Sequence, residues 1–531
     1  MQTDPKSIEG TDPATIGTPR SALEGQAGSL GAPQTEKPYS VFSTKEKWFI
    51  VALIAFAGLF SPLTANIYLP AIPVLTVDFN KSTELINITV TVYMIFQGLS
   101  PMLFGTMADQ VGRRPVFAAC LLILSLSCIG LALVPTSAYW LLVVLRCLQA
   151  AGSASTIALG AGSIGDIAAP PERGGFYGLY NLGPMFGPCI GPVIGGALSN
   201  GLGWRSIFWF LCISSATCFV FIILFLPETL RSLVGDGSIV PSKIYRPLIP
   251  VVGKTTSDPS FARPPPKPFR NPLRILNNLD IVLVLSVNAV INSLYYGITA
   301  SMSTLFSEAY PSLDQTQIGL CYLAMGGGMI FGSFVLGRML DQEYGKLRRS
   351  VMAVQEAGRT EKGETGIDDN FPIEKARLRL VPLSMLMFVA CCAGYGWCVQ
   401  KRVNLSGPLL LQVTSENDIY FFLSFYLSIN THVFSEVGFT TMGIMTSTQT
   451  LLVDLMPSQS SSITACNNFI RCIAGAALVS VMDLILRALG AGWTYVLLAG
   501  ILVLTIPLVY LIMYVGPPRR IKRRQVLAAS L

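Results

Sequence analysis

Runs of about twenty apolar residues recur along this chain, parted by short polar breaks. They fall near 48–69, 86–107, 116–134, 139–161, 177–198, 206–226, 281–303, 318–340, 381–400, 437–456, 461–484 and 494–515. A helix needs ~20 residues to cross a hydrocarbon core, so the pattern predicts twelve membrane-spanning helices. A polar stretch containing Arg263-Pro264-Pro265-Pro266-Lys267-Pro268 divides them six and six, as a semi-rigid linker would. The expected organisation is a disordered cytosolic tail at 1–44, a six-helix bundle at 45–230, a cytosolic linker at 231–279, a second bundle at 280–516 and a basic cytosolic tail at 517–531. Basic residues test the topology independently. Lys45, Lys47, Arg113, Arg114, the linker, the 346–379 loop and Arg519, Arg520, Lys522, Arg523 and Arg524 all fall on one side, which is then cytosolic.

One segment breaks the rhythm. Between Pro408 and Asp454 there is too much sequence for one span, and a second span would carry the basic tail across the membrane. The excess, 413–436, includes Ser415-Glu416-Asn417-Asp418 and His432, and reads as an insertion or an intron retained in the gene model. Peptides covering 412–438 distinguish the two.

Composition agrees with the pattern. Of 531 residues, 51% are hydrophobic and 13% charged, with a mean hydropathy of +0.56; soluble domains carry about 25% charged residues. The net charge of +7 lies in clusters beside apolar runs, which argues against a nucleic-acid stripe. Most of the twelve cysteines sit inside apolar runs and read as small hydrophobes. With one histidine, no metal site is expected, and no nucleophile–base pair points to an enzyme. No cofactor is expected.

Three stretches carry chemistry. Gly105, Asp109, Gly112, Arg113 and Arg114 stand at the mouth of the hairpin between spans 2 and 3, where charge is costly unless paired. Arg146 and Gln149 lie well inside span 4 and share a side, so they face a cavity or a partner. Span 5 carries Gly183-Pro184, Gly187-Pro188, Gly191-Pro192 and Gly195-Gly196. Glycine every fourth residue gives one face for close helix approach, and proline on the adjacent face bends the helix. A short echo, Gly105-x-Met107-x-Asp109 against Gly337-x-Met339-x-Asp341, hints at duplication. Polar and aromatic candidates for a substrate cavity are Asn66 and Tyr68 in span 1, Tyr93 and Gln97 in span 2, and Gln149 in span 4. Span 7 adds Asn288, Asn292, Tyr295 and Tyr296, and span 11 adds Asn468 and Arg471.

These motifs resemble those of the major facilitator superfamily. The stretch 105–114 is similar to its signature between spans 2 and 3, 146–152 to its span-4 motif, and Gly187, Gly191, Pro192, Gly195 and Gly196 to its antiporter motif. Ser61-Pro62-Leu63-Thr64-Ala65-Asn66-Ile67-Tyr68-Leu69-Pro70, Pro227-Glu228-Thr229-Leu230-Arg231, Phe371-Pro372-Ile373-Glu374-Lys375-Ala376-Arg377 and Asn467-Asn468-x-x-Arg471 resemble the fungal twelve-span drug:proton antiporters, including the quinidine-resistance group and its organic-acid-exporting relatives. The resemblance implies an all-α membrane protein of the major facilitator fold, with two pseudo-symmetric six-helix halves. It further implies a latch in which Asp109 faces the start of span 11 and Arg113 pairs with Asp166, and a role for Arg146 in proton coupling. Gln110 departs from the family, which often has Arg there.

The expected function is proton-coupled export of drugs, toxins or secondary metabolites by alternating access; export of an organic acid such as citrate is the alternative, and a non-transporting sensor a third. Partners are a small-molecule substrate, protons and the lipid bilayer, with no nucleic acid, and the chain is expected to act as a monomer in the plasma membrane. No membrane-centre carboxylate offers itself as proton carrier in the first half. Asp78 and Glu84, in the first outer loop, and Glu308, at the outer end of span 7, lie nearest.

Overall fold

A computed structural model describes residues 39–169, 172–239, 241–250, 272–357, 371–402, 436–456 and 460–529. The excess segment, the centre of the linker and both extreme termini lie outside the described residues. Among the described residues all regular structure is helical. Helix α1 (Thr44–Asn66) starts at a capping box: Glu46 donates its backbone N–H to Ser43 Oγ, and its carboxylate accepts from the Ser43 N–H at 2.7 Å. A short α2 (Ile72–Asp78) follows, then α3 (Thr83–Val111), α4 (Arg113–Leu133), α5 (Tyr139–Ile167), α6 (Arg173–Leu202) and α7 (Arg205–Phe225). A single-turn α8 (Arg231–Val234) opens the linker, which folds back so that Leu248 and Ile249 donate to the last carbonyls of α7.

The second half comprises α9 (Leu279–Ala309), α10 (Gln315–Ala357), a short α11 (Ile373–Leu378), α12 (Val381–Gln400), α13 (Glu436–Leu455) and α14 (Ser460–Ala529). Gly490, at φ +74°, breaks α14 into two limbs. Ten stretches are long and apolar enough to cross a membrane, and the last of them, Ser462–Arg523, contains that break and crosses twice. Helix α13 supplies the remaining span. Its apolar signal is diluted by Thr440, Thr441, Thr446, Ser447, Thr448, Gln449 and Thr450.

The packing repeats every six spans. In the first half α1 packs on α6, α3 on α5, α4 on α7 and on α5, and α1 on α5. In the second, α9 packs on the first limb of α14, α10 on α13, α12 on the second limb and on α13, and α9 on α13. Two seams join the halves, α6 with α10 and α3 with the first limb of α14. Contacts across them lie toward the end of the bundle that carries α2. Cys189 meets Gly326, Pro192 meets Gly319, and Asn200 bonds Asp314 at 3.3 Å. Gly98 meets Phe469 and Cys472, and Thr91 bonds Ser480 at 3.1 Å. Small residues let these backbones approach closely where no water drives apolar helices together.

Candidate functional site

At the opposite end of the bundle the turn from α3 to α4 is made by Gly112 at φ +125°. A Cβ here would be strained and would strike Glu228 Oε2 and the Tyr245 ring, so backbone and neighbours both demand glycine. The Glu228 carboxylate caps the start of α4, accepting from the N–H groups of Arg113 (2.9 Å) and Arg114 (3.2 Å) as well as those of Thr229 and Leu230. Burial pushes the Glu228 carboxyl above the usual carboxylate range, against the pull of those four amides.

Arg113 joins three helices here. Its guanidinium meets Asp109 of α3 at 2.6 Å and Asp166 of α5 at 3.1 Å, while its N–H holds Glu228 beyond α7. Arg114 turns the other way and donates to the carbonyls of Ile223 and Ile244, tying the linker down. Arg231 donates to the Asp166 carbonyl at 2.9 Å. Asp109, expected to face the start of span 11 at 461, pairs with Arg113 instead, and it makes no hydrogen bond or ion pair with that helix from 462 onward among the described residues. Gly105 departs from expectation: its nearest neighbour would be Ala158 Cβ at 3.9 Å, ordinary contact, so no close approach depends on it in this conformation.

The second half repeats the arrangement at residues the sequence signalled only as a family-like motif. Arg377 of α11, just ahead of α12, pairs with Asp454 at the end of α13 at 2.9 Å, as Arg113 at the start of α4 pairs with Asp166 at the end of α5. Glu374 and Arg520, both fully buried, pair at 3.0 Å between α11 and the C-terminal part of α14. The echo at 337–341 lies inside α10, which runs on to Ala357, and the described ion pairs at this end come from the Arg377 motif.

Span 5 behaves as its glycines predict, on two faces. Gly183, Gly187, Gly191 and Gly195 lie against α1, where added Cβ atoms would meet Ala55 O, Pro62, Ile67 N and Ile67 O in turn. Gly196 belongs to the other face and meets Gln315 O of α10 across the seam.

Deeper in the bundle Arg146 is 0% exposed, with its guanidinium carbon 4.3 Å from the ring centroids of both Tyr68 and Tyr93. One edge donates to Gln149 Oε1, while Nε and Nη2 have no acceptor. Tyr93 OH is fixed by Thr64 at 2.6 Å and Ser153 at 2.8 Å, and Tyr68 OH by Thr89 at 2.9 Å, so the rings are held over the cation. An arginine near mid-bilayer costs ~2.5–3.5 kcal/mol on the lenient scale, and two desolvated cation–π contacts at about 2 kcal/mol each offset it. The guanidinium is tolerated without an acid.

Arg471 in the first limb of α14 is half-buried. Its Nε and Nη2 donate to Asn468 Oδ1 at 3.1 and 2.9 Å, and Asn468 Nδ2 crosses to the Gln97 carbonyl at 3.0 Å. Tyr295 and Tyr296 stand beside it, their ring centroids 5.3 Å apart. Among the described residues neither arginine has an acidic partner. The other candidates divide. Gln97 is buried with Oε1 unpartnered, whereas Asn66 donates to the Pro62 carbonyl of its own helix. Asn288 and Asn292 do not face an open site: they bond each other, Asn467 and Thr448, and Asn467 continues to Gln449. That network stitches α9, α13 and α14. Asn467 and Gln449 were not among the candidates, though Asn467 stands in the quoted motif. No cluster of metal-ligating side chains occurs among the described residues.

A two-half helical bundle with charged latches at one end and buried arginines at its centre defines a membrane transporter. The comparisons name its kind: a family model for the Major Facilitator Superfamily matches residues 54–360, and the chain belongs to that superfamily. Citrate exporter 1 of Aspergillus niger is 34% identical over 96% of this chain and 94% of its own. The MFS antiporter QDR1 of Candida albicans is 33% identical over 90% of each chain, and Quinidine resistance protein 1 of Saccharomyces cerevisiae is 32% identical over 87% of this chain and 82% of its own. Among solved structures, a D-xylose-proton symporter shares the fold with a TM-score of 0.59 at 14% identity, covering 88% of this chain and 97% of that one. The relatives are named transporters rather than enzymes.

Proposed function

We propose that this protein exports small organic anions of the carboxylic-acid class, exchanging them for protons across the plasma membrane with both termini in the cytosol. One observation carries the substrate class. Two guanidinium groups, Arg146 and Arg471, lie within the bundle with aromatic rings and amides around them and, among the described residues, no carboxylate on either. A cationic drug would meet like charge there; an anion would supply what is missing. The free Nε–Nη2 edge of Arg146 is the fork that takes a carboxylate in two parallel hydrogen bonds. It is covered in this conformation, so filling it requires the helices around it to move, as alternating access does. The 34% identity to a protein named a citrate exporter supports the same reading. In this topology the α2 end is the outer end, so contacts across the seams close the outside and leave the cytosolic latches apart.

Reconstituted protein tests this. With an acid-outside gradient, tricarboxylate efflux should be fast, and azole-type drugs and polyamines slow. Transport of the cationic compounds without tricarboxylate transport overturns the substrate class and favours drug export, for which the tyrosines around both arginines would be the contact surface.

A further inference from the structure

At the α2 end of the α3–α14 seam two carboxylates share one cation. Arg487 of α14 meets Glu84 of α3 through Nη1 at 3.0 Å and Asp483 of its own helix through Nε at 2.9 Å. The two carboxyl groups also lie within hydrogen-bonding reach of each other. Asp483 is 9% exposed, and both Glu84 Oε2 and Asp483 Oδ2 are buried without a hydrogen-bond partner, the contact from Nε to Oδ2 being an ion pair only. Two neighbouring carboxylates therefore share Arg487, and one oxygen of each is buried without a hydrogen-bond donor. Glu308 of α9 adds a further anion near the pair, and Ser82 supplies a neutral hydrogen bond to Glu84. One arginine cannot neutralise this group; one proton added to it can.

We propose that Glu84 and Asp483 form a proton-binding site that exists only while the seam is closed: the pair shares one proton, held between the carboxyls, and loses it when α3 leaves α14. The site rests on the exchange reading above and adds to it a titratable group that responds to the outer pH. When the seam parts, Asp483 keeps Arg487 four residues away on its own helix. Glu84 goes to water, where a carboxyl ionises near its ordinary value of about 4.3. The closed state then binds more protons than the open one. By linkage, acid favours the state that holds the extra proton. Acid on the outside thus closes the outer seam; because the proton returns to the outside when the seam opens, the site gates the exchange by outer pH and does not itself carry the exchanged proton.

Cargo is not required for the test, so it stands or falls apart from the substrate class. Spin labels at Val77→Cys on α2 and Leu489→Cys at the end of the first limb, 77% and 44% exposed, report the separation of the halves at this end. The half-buried native Cys147 and Cys398 are replaced by Ser in the labelled full-length protein. Double electron–electron resonance from pH 5 to 8.5 should show the short-distance population growing as pH falls, its ratio to the long one changing by up to about tenfold per pH unit for one linked proton. Glu84→Gln and Asp483→Asn each mimic the protonated carboxyl and should hold the short distance across the whole range. A population that ignores pH in the parent, that closes as pH rises, or that keeps its full pH dependence in both variants overturns the proposal.

Discussion

Arg146 lies 4.3 Å from the ring centroids of both Tyr68 and Tyr93, a cation held between two phenols whose hydroxyls are pinned by Thr89, Thr64 and Ser153. Planarity matters in that slot, because a guanidinium stacks on a ring and forks a carboxylate, whereas an ammonium is a solvated point charge. Arg146→Ala and Arg146→Lys should both abolish gradient-driven efflux while the protein still reaches the membrane, measured by surface biotinylation beside transport. Full activity in the lysine variant would reduce the role of Arg146 to charge alone.

Arg471 is half-buried and held only by an amide oxygen, so its removal leaves no buried carboxylate behind. Arg471→Gln should fold normally and raise the KM for the anion tenfold or more, about 1.4 kcal/mol of lost binding. Substrate-dependent counterflow in vesicles measures it.

The glycines of α6 should differ sharply from Gly105. Gly195→Ala sets a methyl against the Ile67 carbonyl and should stop turnover. Gly105→Ala, with only Ala158 Cβ at 3.9 Å, should transport at close to the parent rate. Equal losses in both would show that the α1–α6 contact is not the close surface.

Glu228 makes a prediction in which charge and hydrogen bonding part company. Its folded pKa is raised by burial, so its contribution to stability is greatest below the unfolded value and declines as pH rises toward the folded one. Glu228→Gln keeps an acceptor for the first amides of α4 and should cost little in thermal stability. Glu228→Ala orphans buried N–H groups at roughly 1–3 kcal/mol each and should lower the midpoint far more. Unfolding in detergent, followed by fluorescence from pH 5 to 8, reads both.

Much of this was legible in the chain because lipid is a severe reader of sequence. Helix existence followed from run length, and the glycine face of α6 followed from spacing alone. What escaped was partnership. Asn288 and Asn292 sat one turn apart on one face, which fits a cavity or a network equally well, and only the position of Asn467 and Thr448 decides for the network. Arg377 and Asp454 are 77 residues apart, and no local pattern announces that they meet. Glu84 looked like a loop residue until Arg487, some four hundred positions away, was placed beside it.

The polar face of α13 bears on how the protein is made. A helix carrying Thr440, Thr441, Thr448 and Gln449 gains little from lipid by itself, and the amides that bond Thr448 and Gln449 belong to α9 and to α14, which is synthesised later. Its insertion must therefore await a neighbour on either side. Damage to Asn467 or Gln449 should first be felt at the ribosome-bound stage, as chains retained and degraded, before it is ever felt as slower transport.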